Sequence, residues 1–224
     1  MKLAFKPDEI DHHVLKLIVG LIALTLANLT ALFSSGPIQS ISASYYEGGW
    51  ARDFFVGFLF AISSFLFAYN GVSSFEMLLS KIAAVAALGV ALFPCSCGEH
   101  DEAIPYVHYI SATVMFIVLA CLCGVFFKRA RSKGHREARW RCYLYAVCGI
   151  TIVIVIAVLA IDHFAGEPIG SKVPGLTFYG ERAGLVAFGI SWLVASRVPS
   201  RHYSVGRTHF DSSDFAGVRP LESF

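Results

Sequence analysis

Charge is the feature that this sequence most lacks. Only 15% of its 224 residues are Asp, Glu, Lys or Arg, whereas 56% are hydrophobic, and the mean hydropathy is +0.63. Soluble domains carry about 25% charged residues. A soluble globule of this length could not bury so much apolar surface, so the composition excludes an ordinary soluble domain and predicts an integral membrane protein.

Several motifs are also missing, and each absence removes a class of function. The chain has no G-x-S-x-G, Walker or H-E-x-x-H motif, so it lacks the usual signatures of α/β-hydrolases, P-loop NTPases and zinc proteases. No lysine lies midway along a late apolar run, which argues against a retinal protein. The net charge of only +2, without a basic stripe, argues against nucleic-acid binding. No internal repeat is visible, so we expect one domain.

Six apolar runs approach or reach the length of about 20 residues that a helix needs to cross a bilayer. Only a helix satisfies its own backbone groups there, so we predict an all-α polytopic membrane bundle. Residues 16–197 are expected to form it, between a cytoplasmic N-terminal segment (1–15) and a mobile cytoplasmic tail (198–224). The predicted spans are Lys16–Phe33, Phe54–Val72, Met77–Phe93, Ile104–Phe127, Tyr143–Ile161 and Ala183–Ser196.

Small residues inside these runs are expected to allow close helix packing. The glycines concerned are Gly57, Gly89, Gly124, Gly149, Gly184 and Gly189.

The basic residues predict the topology. Seven of them lie between Lys128 and Arg141, and loops rich in Lys and Arg stay in the cytoplasm. Alternating from that loop puts both termini inside, with fifteen of the 18 basic residues on the cytoplasmic side. The remaining three, on the outer side, are Arg52, Lys172 and Arg182.

Ionisable residues cluster at the predicted outer ends of the spans, whereas on the cytoplasmic side the spans themselves are nearly free of such residues apart from Lys81. Such residues at membrane depth usually line a cavity or pair with one another, so we predict a polar pocket open to the outside. Asp53, His108 and Glu181 are the candidate catalytic residues. The alternative is that acids at helix starts only complement the helix dipole. The candidate substrate-binding residues are Ser42, Ser44, Tyr45, Tyr46, Arg52 and Arg182.

A metal site is a further hypothesis. His108 and His163, with Asp162, Asp53 or Glu181 as the carboxylate, could hold zinc with an open position for water. Cys95, Cys97 and His100 form an alternative ligand set for zinc or cuprous copper. An extracytoplasmic pair of cysteines could instead be joined as a disulfide.

Three stretches carry a resemblance to a known family. They are "SASYYEGGWARDFFVGFLFAISSFLFAYNG" at 42–71, "AALGVALFP" with "VHYISA" at 86–112, and "ERAGLVAFGISWLV" at 181–194. Together they resemble a family of small bacterial multi-pass membrane proteins of unknown function. The resemblance implies six helices, the bacterial inner membrane, and a shared pattern at Arg52-Asp53, His108 and Glu181. It supplies no activity.

A more distant similarity is to the superfamily of membrane hydrolases and receptors that includes alkaline ceramidases, in which serine, aspartate and histidines on separate helices hold zinc. This chain has six predicted helices rather than seven and no H-x-x-x-H. Three functions therefore remain open. They are hydrolysis of a lipid or lipid-linked substrate, a non-catalytic role as membrane partner or assembly subunit, and transport or binding of a small solute.

Overall fold

A computed structural model describes residues 11–97, 104, 106–134 and 136–197. The predictions for residues 1–10 and for the tail at 198–224 lie outside the described residues, as does His100. The described chain forms seven helices and no strand. They are α1 (His12–Phe33), α2 (Ser44–Glu47), α3 (Gly49–Ala68), α4 (Ser74–Leu92), α5 (Val107–Arg131), α6 (Arg136–Phe164) and α7 (Leu176–Ser196).

Five of these helices, α1, α3, α4, α5 and α6, are long and apolar enough to cross a membrane. Each overlaps a predicted span, so the prediction of a multi-pass helical membrane protein is confirmed. The last predicted span corresponds to α7, which has 21 residues but is not among the five. Glu181 and Arg182 lie in its N-terminal half and lower its mean hydropathy. The short helix α2, in the connection between α1 and α3, was not predicted.

Six long helices pack in a closed ring. In order around it they are α1, α3, α4, α5, α6 and α7, and α7 packs against α1 again. Contacts join the start of one helix to the end of its neighbour, so these neighbours run in opposite directions. At the junction of α1 and α7, for example, His13 Nδ1 lies 2.6 Å from the Ser196 carbonyl oxygen.

The ring has two ends, called the loop end and the terminal end. The loop end contains the connection between α1 and α3 (residues 34–48), residues 93–97 after α4, and the first turns of α5 and α7. The terminal end contains the first turns of α1, α4 and α6 and the last turns of α3, α5 and α7. Between them the core is apolar, and its fully buried side chains include Leu26, Leu59, Leu119, Leu122 and Phe188.

Glycines close the ring between α1 and α7. A Cβ atom added at Gly189 would lie 2.9 Å from the carbonyl oxygen of Gly20. Gly89, Gly149 and Gly184 also face close neighbours. The packing prediction is wrong for Gly57 and Gly124, because a Cβ atom at either position would meet nothing within 4 Å.

The contrast between Gly189 and Gly124 is testable. Gly189→Ala should lower the free energy of unfolding by about 1–3 kcal/mol, because the new methyl group overpacks the contact between α1 and α7. Gly124→Ala adds the same methyl group in open space and should leave the protein unchanged or stabilise it by up to about 1 kcal/mol, since alanine favours a helix. Thermal unfolding in detergent measures both, and equal effects would contradict the close approach.

Candidate functional site

The connection between α1 and α3 folds into the loop end and carries Ser42. Two local hydrogen bonds shape it. Ser44 Oγ donates to the carbonyl oxygen of Ile41 at 2.5 Å, and the backbone N–H of Ala43 donates to Ser40 Oγ at 3.0 Å. Side-chain bonds of this type stabilise turns in place of regular structure. They hold Ile41 and Ser42, which are both buried, against the ends of α5 and α7.

Ser42 joins two of the predicted catalytic residues. Its Oγ lies 3.3 Å from Glu181 Oε1 and 3.1 Å from His108 Nε2. The other carboxylate oxygen, Glu181 Oε2, accepts the backbone N–H of Ile41 at 2.5 Å. Ser42 and His108 are only 5% and 3% exposed. The structure thus brings Ser42, His108 and Glu181 together from three separate segments of the chain.

The position of one hydrogen in this group follows from its neighbours. His108 Nδ1 lies 2.7 Å from the carbonyl oxygen of Phe93, and a carbonyl oxygen only accepts, so Nδ1 carries the hydrogen. A neutral His108 then has a bare Nε2, which accepts the hydroxyl hydrogen of Ser42. When Ser42 instead donates to an ionised Glu181, His108 Nε2 must donate to Ser42 and the imidazole is positively charged. The protonation states of His108 and Glu181 are therefore linked through the serine.

A small cavity adjoins Ser42 and Glu181 inside the ring. Its volume is about 20 Å³, close to the 10–15 Å³ or so that one water molecule requires. Apolar side chains from α1, α3, α4, α5 and α7 form most of its wall, including Leu26, Phe55 and Met115. The open polar pocket that the sequence predicted is thus replaced by a narrow, largely apolar cavity with a serine and a carboxyl group in its wall.

Other predicted site residues of the first loop and of α7 lie outside this group. Arg52 and Asp53 are exposed, and their side chains contact each other at 3.9 Å. Both residues lie on the outer face of α3, so their side chains point away from Ser42, His108 and Glu181. Arg182 is exposed as well. Tyr45 packs edge-on against Tyr46, whose hydroxyl donates to the carbonyl oxygen of Cys95 at 2.7 Å.

The predicted zinc ligands do not form a ligand set. Asp162 accepts the backbone N–H groups of Ile169 at 2.7 Å and Gly170 at 3.1 Å, and so caps the turn after α6. His163 stacks on the ring of Tyr109 with the centroids 5.8 Å apart. Within the described ranges, no three His, Cys, Asp or Glu side chains are grouped as metal ligands.

Cys95 and Cys97, the alternative ligands, form a disulfide, so neither is a free thiolate. The disulfide segment also supports the site. It follows Phe93, which orients His108, and its Ser96 carbonyl oxygen accepts the hydroxyl of Tyr109 at 3.1 Å.

A second buried polar group, which was not predicted from the sequence, lies at the terminal end. Glu76 is fully buried and accepts hydrogen bonds from Arg129, from the Tyr69 hydroxyl and from the backbone N–H of Val72 at 3.1 Å. Burial and the adjacent carboxylate raise the pKa of Tyr69, which follows α3, so its phenol keeps the hydrogen that it donates. Three helices are joined through one carboxylate.

Lys16 completes the terminal-end group. It is 5% exposed, and its Nζ lies 5.1 Å from the ring centroid of Tyr69 and 5.7 Å from that of Phe126. Trp192 of α7 packs on Tyr69 with the centroids 5.2 Å apart. A buried ammonium group is stabilised by such aromatic faces. Tyr145 of α6 packs on Phe126 with the centroids 5.6 Å apart, so every long helix contributes to the group or to its aromatic wall.

The fold defines a polytopic helical membrane protein with a buried polar group at each end. The chain belongs to the DUF998 family of proteins of unknown function, whose family model matches residues 51–198. That match includes His108, Glu181, Glu76 and Arg129, whereas Ser42 precedes it. No curated protein and no solved structure matches the chain.

The buried pair of Glu76 and Arg129 is expected to contribute to the stability of the fold. Glu76→Gln removes the charge that pairs with Arg129 and should lower the free energy of unfolding by about 3 kcal/mol, the lower limit for breaking a buried pair. The matched control is Glu137→Gln, which breaks an exposed pair with Arg141 at 3.4 Å and should cost about 0.3–0.5 kcal/mol. Unfolding in detergent measures the difference, and a Glu76→Gln protein as stable as the control would contradict the buried pair.

Proposed function

We propose that this protein is a membrane serine hydrolase that cleaves an ester or amide bond of a lipid or lipid-linked substrate at the loop end. The observation that carries the proposal is the pair formed by Ser42 Oγ and His108 Nε2, 3.1 Å apart. His108 is the base in this pair, and its Nδ1 donates to the carbonyl oxygen of Phe93, which orients the imidazole ring. A nucleophile, a base within hydrogen-bond distance and a third group that orients the base are the recurring elements of nucleophilic catalysis.

The residues have separate roles in the proposed reaction. Ser42 Oγ attacks the substrate carbonyl carbon while its proton passes to His108 Nε2. His108 then gives that proton to the leaving alcohol or amine, and an acyl group stays on Ser42. A water molecule, deprotonated by His108, attacks this acyl group, and the proton returns to Ser42 Oγ as the acid is released. Glu181 is a positioning residue that holds Ser42 and the backbone of Ile41.

Access to Ser42 requires movement of the connection at 34–48, because the adjoining cavity of about 20 Å³ is too small for an acyl group. The surroundings of this connection favour a lipid substrate. Phe33, Trp50 and Phe54 form an aromatic group beside it, and Trp50 is 67% exposed. Exposed tryptophans of this type are enriched at the depth of lipid headgroups.

The proposed topology places the loop end outside the cytoplasm. We take α7 as a sixth span, with both termini in the cytoplasm and the loop end outside. Support comes from the closed ring, in which α7 packs against both α1 and α6, and from the fifteen basic residues assigned to the cytoplasmic side. The hydrogen bonds that Glu181 accepts from the Ile41 backbone N–H and from Ser42 Oγ offset part of the cost of placing that carboxyl group in the membrane.

The topology can be measured with reporter fusions. Alkaline phosphatase fused after Lys172 should be active, because the enzyme folds only outside the cytoplasm, and a fusion after Lys133 should be inactive. Fluorescent-protein fusions at the same two positions should give the opposite pattern. Equal activity at the two positions would contradict a membrane crossing by α6.

A non-catalytic membrane partner is the second candidate. The observation that favours it is the burial of Ser42 and His108, together with the contacts of Glu181 to Ser42 and to the Ile41 backbone. In that case the same hydrogen bonds serve only to fasten residues 34–48 to α5 and α7.

Labelling of the protein with a fluorophosphonate probe distinguishes the two candidates. The probe phosphonylates an activated serine, so the membrane-embedded wild type should be labelled at Ser42 and Ser42→Ala should lose the label. His108→Ala should label at least about 100-fold more slowly, the usual contribution of a general base. Mass spectrometry of the labelled peptide identifies the serine.

Ser64→Ala is the matched control, because Ser64 is an exposed serine of α3 whose hydroxyl donates to the carbonyl oxygen of Phe60 in the same helix. It should label like the wild type, and the unfolding temperature of each variant separates lost chemistry from lost folding. Absence of labelling in a folded wild type, or unchanged labelling of Ser42→Ala, would remove the hydrolase and leave the anchoring role.

A further inference from the structure

The terminal end carries a cleft between α5 and α6, at the opposite end of the ring from Ser42. Its volume is about 380 Å³, within the range of about 300–1,000 Å³ typical of sites for small molecules. Four side chains give it an apolar floor, and two arginines flank it. The floor is formed by Phe127, Ala130, Ala138 and Cys142, and the arginines are Arg131 and Arg139.

The basic residues of this segment have different partners. Arg129 turns inward to the buried Glu76, and Arg141 pairs with Glu137 at 3.4 Å. Within the described ranges, no carboxylate pairs with either Arg131 or Arg139. Both side chains are exposed. The cleft therefore presents two guanidinium groups that form no ion pair with the described carboxylates.

The residues around the cleft indicate that it lies at the membrane interface. Trp140 and Tyr143 of α6 directly follow the cleft residues Arg139 and Cys142 in sequence. Their rings stack with the centroids 6.2 Å apart, and each side chain is 65% exposed. Such an aromatic pair fits the interface between headgroups and acyl chains. Along the rest of α6 many apolar side chains are exposed, and it is the least buried of the five apolar spans. An apolar surface thus continues from the floor of the cleft into the hydrocarbon.

We infer that this cleft binds the headgroup phosphate of an anionic phospholipid, with Arg131 and Arg139 as its ligands. Guanidinium groups match phosphate oxygens in geometry as well as in charge. The apolar floor and the exposed face of α6 accept the first segments of the acyl chains, which a soluble phosphate lacks. Basic clefts between transmembrane helices are suited to anionic lipids. This site is separate from the proposed hydrolase site, and its occupancy does not depend on the chemistry of Ser42.

Native mass spectrometry of the full-length protein can test the inference. The protein is released from detergent after titration with phosphatidylglycerol or phosphatidylcholine, and the bound lipids are counted. The wild type should retain phosphatidylglycerol in preference to phosphatidylcholine. Replacing both cleft arginines, in R131Q/R139Q, should weaken phosphatidylglycerol binding about tenfold or more and leave the unfolding temperature without lipid unchanged.

The matched control is K128Q/R136Q, which removes two charges from the same segment outside the cleft and should weaken binding less than R131Q/R139Q, because salt screens exposed charges that do not contact the phosphate. Equal weakening in the two double variants would overturn the inference, since binding would then follow total charge. Unchanged binding in R131Q/R139Q would overturn it too. Displacement of the lipid by millimolar inorganic phosphate would assign the cleft to a soluble anion instead.

Discussion

The hydrogen-bonded chain from Glu181 through Ser42 to His108 is the interaction on which the loop end depends. It fastens a connection of irregular structure to two helices, and each of its members is partly or fully buried. A buried polar group left without its partner costs about 1–3 kcal/mol. The three residues must therefore be bonded together. The turn at 40–44, the disulfide segment after Phe93 and the N-terminal half of α7 hold them in position.

Both polar groups follow the same principle at opposite ends of the ring. At the loop end one hydroxyl joins a carboxyl group to an imidazole, and at the terminal end one carboxylate, Glu76, joins Tyr69 to Arg129. The core between them is apolar, and the described contacts do not link the two groups. The terminal-end group has the properties of a structural contact, because Tyr69 and Arg129 both donate to Glu76. The loop-end group differs in having a serine beside a base, with a small cavity against both Ser42 and Glu181.

The sequence predicted the helices well because hydropathy and length are local properties of the chain. It predicted less well which side chains meet. Asp53 and Glu181 both lie in the first half of an apolar helix, yet the rotation of each helix in the ring exposes Asp53 and turns Glu181 toward Ser42. The terminal-end group was missed for a related reason. Spans drawn from Met77 and to Phe127 left Glu76 and Arg129 in loops, and α4 and α5 in fact continue past them.

The cysteine pair and the predicted zinc ligands are further places where the sequence left the side-chain contacts undecided. Cys95 and Cys97 are compatible in sequence with either a metal site or a bond between them, and the structure forms the bond. Asp162 and His163 lie at about the same depth as His108, but their side chains do not point toward it. Asp162 caps the turn after α6, and His163 stacks on Tyr109. Depth in the membrane can be estimated from a sequence, whereas direction around a helix depends on packing across the ring.

Nitrogen-15 NMR of the His108 imidazole tests the central arrangement most directly, with the signal assigned by its loss in His108→Gln. We expect Nδ1 to carry a hydrogen at every pH at which the protein is folded, because it donates to the Phe93 carbonyl oxygen. Only the Nε2 signal should change when Ser42 is replaced by alanine. A neutral His108 with its hydrogen on Nε2 and a bare Nδ1 would contradict the arrangement, since neither the orientation by Phe93 nor the role of His108 as a base toward Ser42 would then hold.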